Sequence, residues 1–235
     1  MKSHRGIVAP VTFVVCAGLI AACATTVQQA DYPTKDTVTA GIFLEPDERT
    51  VLPEGVEVRK VYDKGIELTK VSEGFVSRLY NDAAGYCTIA YGHLIKLASC
   101  DGTEPKEFRN GVSRARGTEI LRTDMEKAER AVMKLTNVEL TDGQYAALCD
   151  FVYNVGGGNY RRSTLRRKVN AGKNDEVAFQ FRRWVKAGGR VLRGLKIRRE
   201  QEIELFFDGA GVPRAAAPLE GEDLSEIDIR MGEGS

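Results

Sequence analysis

The stretch FVSRLYNDAAGYCTIAYGH, Phe75 to His93, is the one strand-like block in a chain whose central part otherwise shows helical periodicity. FVSRLYND alternates, AAG is a turn, and YCTIAYGH returns with β-branched and aromatic residues, which predicts an antiparallel hairpin. Just before it, residues 66–73 read as a short helix that Gly74 can terminate in a left-handed conformation. After it, Leu121, Met125, Ala128, Val132 and Leu135 make one apolar stripe at helical spacing, with Ser113 as N-cap. Tyr145, Leu148, Val152 and Val155 repeat the stripe from a start at Thr141 or Asp142, and the three glycines at 156–158 end it. Further helices fit 163–171, 174–184 and 194–207. The expected fold is α+β, mostly helical, with a small β-hairpin inserted after the first helix.

Both flanks differ from this domain. Lys2 and Arg5 precede an uncharged run of 17 residues from Gly6 to Ala22. A spanning helix needs about 20 residues, and a secretory h-region needs roughly 7–15. Residues 1–23 are therefore expected to be an export signal, and three fates stay open. IAAC at 20–23 reads as a lipobox with Cys23 as the lipidated residue, ACA at 22–24 reads as a small-residue cleavage site, and the run also reads as an uncleaved, weakly apolar anchor. Residues 24–60 read as a linker, 61–207 as the folded domain and 208–235 as a disordered acidic tail. The domain is basic, with 27 Lys/Arg against 19 Asp/Glu in 60–207. This favours a polyanionic partner. An exported chain works away from nucleic acid, which leaves the cell envelope, through the wall and through inner or outer membrane contact at the N-terminus. RRSTLRRK at 161–168 fits either anionic wall polymer and lipid phosphates or a solvated helix face.

Five cysteines are present. Cys16 and Cys23 lie in the export segment, and Cys149 lies in an apolar helix. Cys87 and Cys100 flank a strand and loop, so in an oxidising compartment they are expected to form a disulfide. With two His and no CxxC pair, no metal site and no cofactor are expected.

The residues around the hairpin carry chemistry. Glu73 ends a helix, Asp82 lies at the far end of the first strand, and Thr88 lies two residues into the return strand, near Asp82 across the hairpin. Glycoside hydrolysis needs two carboxylates flanking a bond, one to give a proton and one to ready a water. The partial negative charge of a helix C-terminus disfavours ionisation of Glu73, and Phe75 and Tyr91 act in the same direction by desolvation. Glu73 is then the better acid and Asp82 the better base. A Glu at a helix end and an Asp before a turn are also ordinary surface chemistry.

Glu73-Gly74, Asp82 nine residues on, Gly85, Thr88 and Gly92-His93 are similar to the pattern of the bacteriophage T4-type lysozymes, the glycoside hydrolase family 24 endolysins. LTDGQYAALCDFVYNVGGGNYRRSTLRRKVNAG at 140–172 and FRRWVKAGGRVLRGLKIRREQEIELF at 181–206 resemble the family's central and C-terminal helices. The resemblance covers most of 64–207. It implies a monomeric muramidase acting on peptidoglycan, with Glu73 as general acid, Asp82 and Thr88 holding the attacking water, and inversion at the sugar carbon. It also implies a sugar contact at Asn154, and we expect a structural hydrogen-bond role for His93. Ala90 stands where the family usually has Gly, for which a slight backbone adjustment is expected. Some exported members have a cysteine at the Asp82 position and regulate it by disulfide exchange; the Asp here argues against that control. The implied roles are a phage or prophage endolysin, or a bacterial lipoprotein that remodels its own wall. A non-catalytic wall-binding module on the same scaffold is the alternative of a different class.

Overall fold

The computed structural model describes residue 52, residues 55–211 and residues 222–233. The export segment with Cys16 and the lipidation candidate Cys23, and most of the expected linker, lie outside the described residues.

Helix α1, Asp63–Glu73, packs on the domain through Gly65, Ile66 and Thr69 and stops at Gly74, whose φ of 72° only glycine adopts freely. The chain then enters the sheet: β1 Val76–Asn81, β2 Cys87–Ala90 and β3 His93–Lys96, antiparallel and in that order. The expected return strand is thus two strands. Ala90 at φ 58° and Gly92 at φ 83° turn the backbone between them. The register pairs Tyr80 with Thr88 and Asn81 with Cys87. Asp82 faces Tyr86, whose carbonyl accepts from Asp82 N at 2.9 Å. Thr88 is therefore diagonal to Asp82, and Tyr80, Asp82, Tyr86 and Thr88 share one face by the period of two.

The rest is helical. It runs α2 Lys106–Arg109, α3 Arg114–Leu135, α4 Asp142–Val155, α5 Gly157–Arg162, α6 Thr164–Asn170, α7 Asn174–Arg182 and α8 Arg193–Phe206. Between α7 and α8 a two-residue hairpin, β4 Lys186–Ala187 with β5 Arg190–Val191, turns at Gly188 and Gly189. Ser113 caps α3 by accepting from Arg116 N, and Thr141 with Gln144 forms a capping box on α4. The α3 stripe is buried along its length, as are Tyr145, Leu148, Val152 and Val155 of α4. Helix α4 is apolar on nearly every side because α1, α3 and α8 all pack on it. Phe151 at its centre meets Phe181 at 5.4 Å and Trp184 at 5.3 Å, both edge-on. Helix α3 touches the sheet at one end and α4 at the other, so it joins the two lobes. No helix among the described residues is long and apolar enough to cross a membrane.

Two boundaries move outward. At the N-terminal side, Tyr145 donates to the Arg59 carbonyl at 2.6 Å, and the Arg59 guanidinium donates to Leu140 O at 3.0 Å and stacks on the Tyr145 ring. The end of the expected linker is therefore part of the domain. On the other side, residues 222–233 of the expected disordered tail lie along α7 and β4. Ile227 is buried and donates to Arg183 O at 2.6 Å. Asp228 bridges Lys186 in parallel, and Glu233 accepts from Arg183 Nη1 at 2.7 Å. The cause is local: Ile227 and Ile229 alternate with charges, a strand-like pattern inside an acidic segment.

Candidate active site

Glu73 neighbours Gly92, one of the residues lining a cleft between the sheet and the helices. The cleft has a volume of about 540 Å³ and is lined by Gly92, His93, Asp124, Lys127, Tyr153 and Gly157, among others. Glu73 Oε2 faces Gly92, 3.9 Å from where a side-chain carbon on that glycine would sit. Glu73 Oε1 accepts from Arg198 Nη1 at 2.7 Å. One oxygen is thus held and the other points toward the cleft. Besides the helix end, the charge beside Glu73 is the Arg198 guanidinium, which comes from α8, 125 residues away.

Asp82 divides its oxygens in the same way. Its Oδ1 accepts from Ala84 N at 2.8 Å and Tyr86 N at 2.9 Å, which fixes the turn. Oδ2 takes part in neither bond. Thr88 is buried, and its hydroxyl donates to Tyr86 O at 3.1 Å, which leaves the oxygen lone pairs to accept. The Tyr80 phenol ties these residues together. Its pKa is raised by burial first, then by the charges of Asp82 and Glu73. One ring therefore lies within electrostatic reach of both carboxylates.

Across the cleft, burial, then Glu73 and then Asp124 push the Tyr153 phenol upward. His93 Nδ1 meets both oxygens of Asp124, at 2.8 and 3.0 Å, and so links β3 to α3. Asn154 sits on α4 one residue past Tyr153, with its Oδ1 accepting from Arg199 Nη2 at 2.8 Å. Cys87 and Cys100 are joined, stapling the start of β2 to the loop after β3. Cys149 is free and buried. Ala90, expected to adjust slightly, keeps the left-handed conformation that suits a glycine. Three of the five cations in the basic stretch are tied down: Arg162 donates to Asn159, Arg167 to Thr164, and Lys168 pairs with Glu222 at 3.0 Å and with Glu176.

Behind Glu73 lies a charge cluster absent from the sequence reading. Asp150 accepts from Arg198 Nε and Nη2, both at 2.9 Å, and from Thr69 Oγ1 at 2.7 Å. Arg199 donates to Glu202 at 2.7 Å, and Glu202 lies 3.7 Å from Arg198. Burial opposes the charge on Asp150, but the Arg198 guanidinium outweighs it and holds the carboxyl below its ordinary range. Burial pushes the Glu202 carboxyl well up. The signal was present in the sequence as one acid, Asp150, inside the apolar window YAALCDFVYNV. A buried acid there requires a cation from another element.

Comparison with known proteins gives the family and the fold. Residues 70–202 match the phage lysozyme family. The chain is 37% identical over 147 residues to an endolysin of Bacillus phage B103, covering 62% of this chain and 53% of that protein. It thus spans about half the length of that relative. It is 37% identical over 137 residues to a SAR-endolysin of Bacteriophage PS119, covering 58% of this chain and 77% of the relative. Among solved structures, the muramidase domain of SpmX from Asticaccaulis excentricus has a TM-score of 0.55 at 30% identity, covering 63% of this chain and 97% of that one. A P22 lysozyme variant gives 0.55 at 28% identity, covering 63% and 99%. The sheet-after-first-helix arrangement is that of a lysozyme, and the chain belongs to the phage lysozyme family.

Proposed function

We propose that the protein is a peptidoglycan muramidase, hydrolysing the β-1,4 bond between N-acetylmuramic acid and N-acetylglucosamine. The observation that carries this reading is Glu73 at the end of α1, held at one oxygen by Arg198, followed by a hairpin turn that fixes one oxygen of Asp82, in a chain of the phage lysozyme family. Glu73 gives its proton to the leaving glycosidic oxygen. Asp82 Oδ2 takes a proton from a water that attacks the sugar carbon from the opposite face, and Thr88 helps fix that water. Each transfer is general acid–base catalysis, worth roughly 10²–10⁴-fold. Attack by water gives inversion, the T4-type outcome. Asn154, held at its carbonyl oxygen by Arg199, is proposed to donate to the sugar chain from its amide.

The biological role proposed is a phage or prophage endolysin working in the periplasm as a monomer. Relatives named SAR-endolysin support reading residues 1–23 as a signal-anchor. The lipobox-like IAAC supports the second reading, a wall-remodelling lipoprotein lipidated at Cys23. Labelling with a palmitate analogue separates them: Cys23-dependent label favours the lipoprotein, and unlabelled full-length protein in the inner membrane favours the anchor. For the chemistry, purified wall is digested with the full chain and the muropeptides are weighed. Reducing ends with a water added support the hydrolase, and 1,6-anhydro ends reassign it as a lytic transglycosylase.

A further inference from the structure

We propose that Asp150 is a positioning residue for this reaction, acting on Glu73 through Arg198. The inference rests on the muramidase reading above and goes beyond it, because Asp150 bonds to Arg198 and Thr69 rather than to Glu73 and is not among the residues lining the cleft.

The geometry is specific. The Asp150 side chain is 1% exposed and that of Arg198 is 6% exposed, whereas that of Glu73 is 26% exposed. Asp150 grips the Nε–Nη2 edge of the guanidinium with both oxygens, at 2.9 Å each. A planar fork held along one edge has its remaining Nη1 direction fixed, and Nη1 is the atom that reaches Glu73 Oε1 at 2.7 Å. Asp150 is itself fixed by Thr69 Oγ1 of α1, four residues before Glu73 on the same helix. The circuit α1–α4–α8 therefore closes on the helix that carries the acid. Thr69, Asp150 and Arg198 are buried deeply enough that an unpaired member is costly. Such a circuit confines the acid to one rotamer with Oε2 toward the cleft, and small misplacements of a reacting group cost turnover rather than binding.

The test uses the full chain and soluble, uncrosslinked glycan strands, with wild type, Asp150→Asn, Arg198→Gln, the double variant and Glu73→Gln. Asp150→Asn lowers kcat about tenfold and leaves KM within about twofold. In the Arg198→Gln background the same change adds less than about twofold, because the path is already cut. Loss of thermal stability alone, with kcat unmoved, overturns the proposal, and so do independent, multiplying losses in the double variant. If Asp150→Asn does not fold, the neutral double variant against Arg198→Gln makes the same decision: equal kcat supports the circuit and a further loss overturns it. Wild-type turnover by Glu73→Gln refutes instead the assignment of Glu73 as the acid, the part of the muramidase reading on which the proposal stands.

Discussion

Cys87 is bonded to Cys100, and the bond anchors the strand residue next to Thr88 to a loop 13 residues further along. A closed loop of that size constrains the unfolded chain by about 3 kcal/mol. Reducing it, or the change Cys100→Ser, is expected to lower the melting temperature by roughly 6–12 °C. Thermal melts with and without reductant check this, and coincident melts contradict it.

Ala90 is the one non-glycine residue with positive φ among the described residues, at 58°. A left-handed alanine costs about 1–2 kcal/mol, and glycine in a strand costs roughly 0.5–1 through unfolded-state entropy. Ala90→Gly is expected to stabilise by about 0.5–1 kcal/mol. The urea midpoint should rise with an unchanged slope.

Glu233 holds Arg183, which is 3% exposed, from a segment beyond the 70–202 family match. Glu233→Gln is expected to cost roughly 2–3 kcal/mol. That is less than a fully orphaned buried charge, because Gln180 Oε1 and Ser225 O also accept from the same guanidinium. Denaturant unfolding measures it. No loss would mean that the 222–233 strap contributes nothing to stability.

Glu104 accepts from Asp101 N at 2.8 Å, from Gly102 N at 2.9 Å and from Lys96 Nζ at 3.0 Å. The Asp101 N–H first, then Lys96, lower its pKa from 4.5 to about 2. A depressed folded-state pKa gives stability that is present above 4.5 and lost as pH falls toward about 2. Glu104→Gln should flatten the melting temperature between pH 4.5 and 2 relative to wild type. An unchanged acid slope would show that the carboxylate is not linked to folding.

The helices were legible because their stripes are local. Leu121 to Leu135, and Ser113 or Thr141 as caps, need no tertiary information. The hairpin was legible as a pattern, but its register was not: Thr88 pairs with Tyr80 because the turn takes Asp82 to Tyr86, and alternation alone leaves that slip undetermined. Glu73, Asp82 and Thr88 were proposed from a spacing that resembles the family pattern. Arg198 was not, because its bond to Glu73 crosses 125 residues. Asp150 looked like one polar interruption in an apolar helix until α8 supplied its cation. The 222–233 strap was hidden by composition, since its two isoleucines are outweighed by acids.

The central claim is that Glu73 delivers the proton to the glycosidic oxygen, and Glu73→Gln tests it most directly, since the amide keeps the shape and removes the acid. Clearing of chloroform-treated Gram-negative cells is measured beside the melting curve of the same preparation. The account predicts a loss of at least about a hundredfold in clearing rate from a protein that still melts cooperatively. Clearing at the wild-type rate would contradict it.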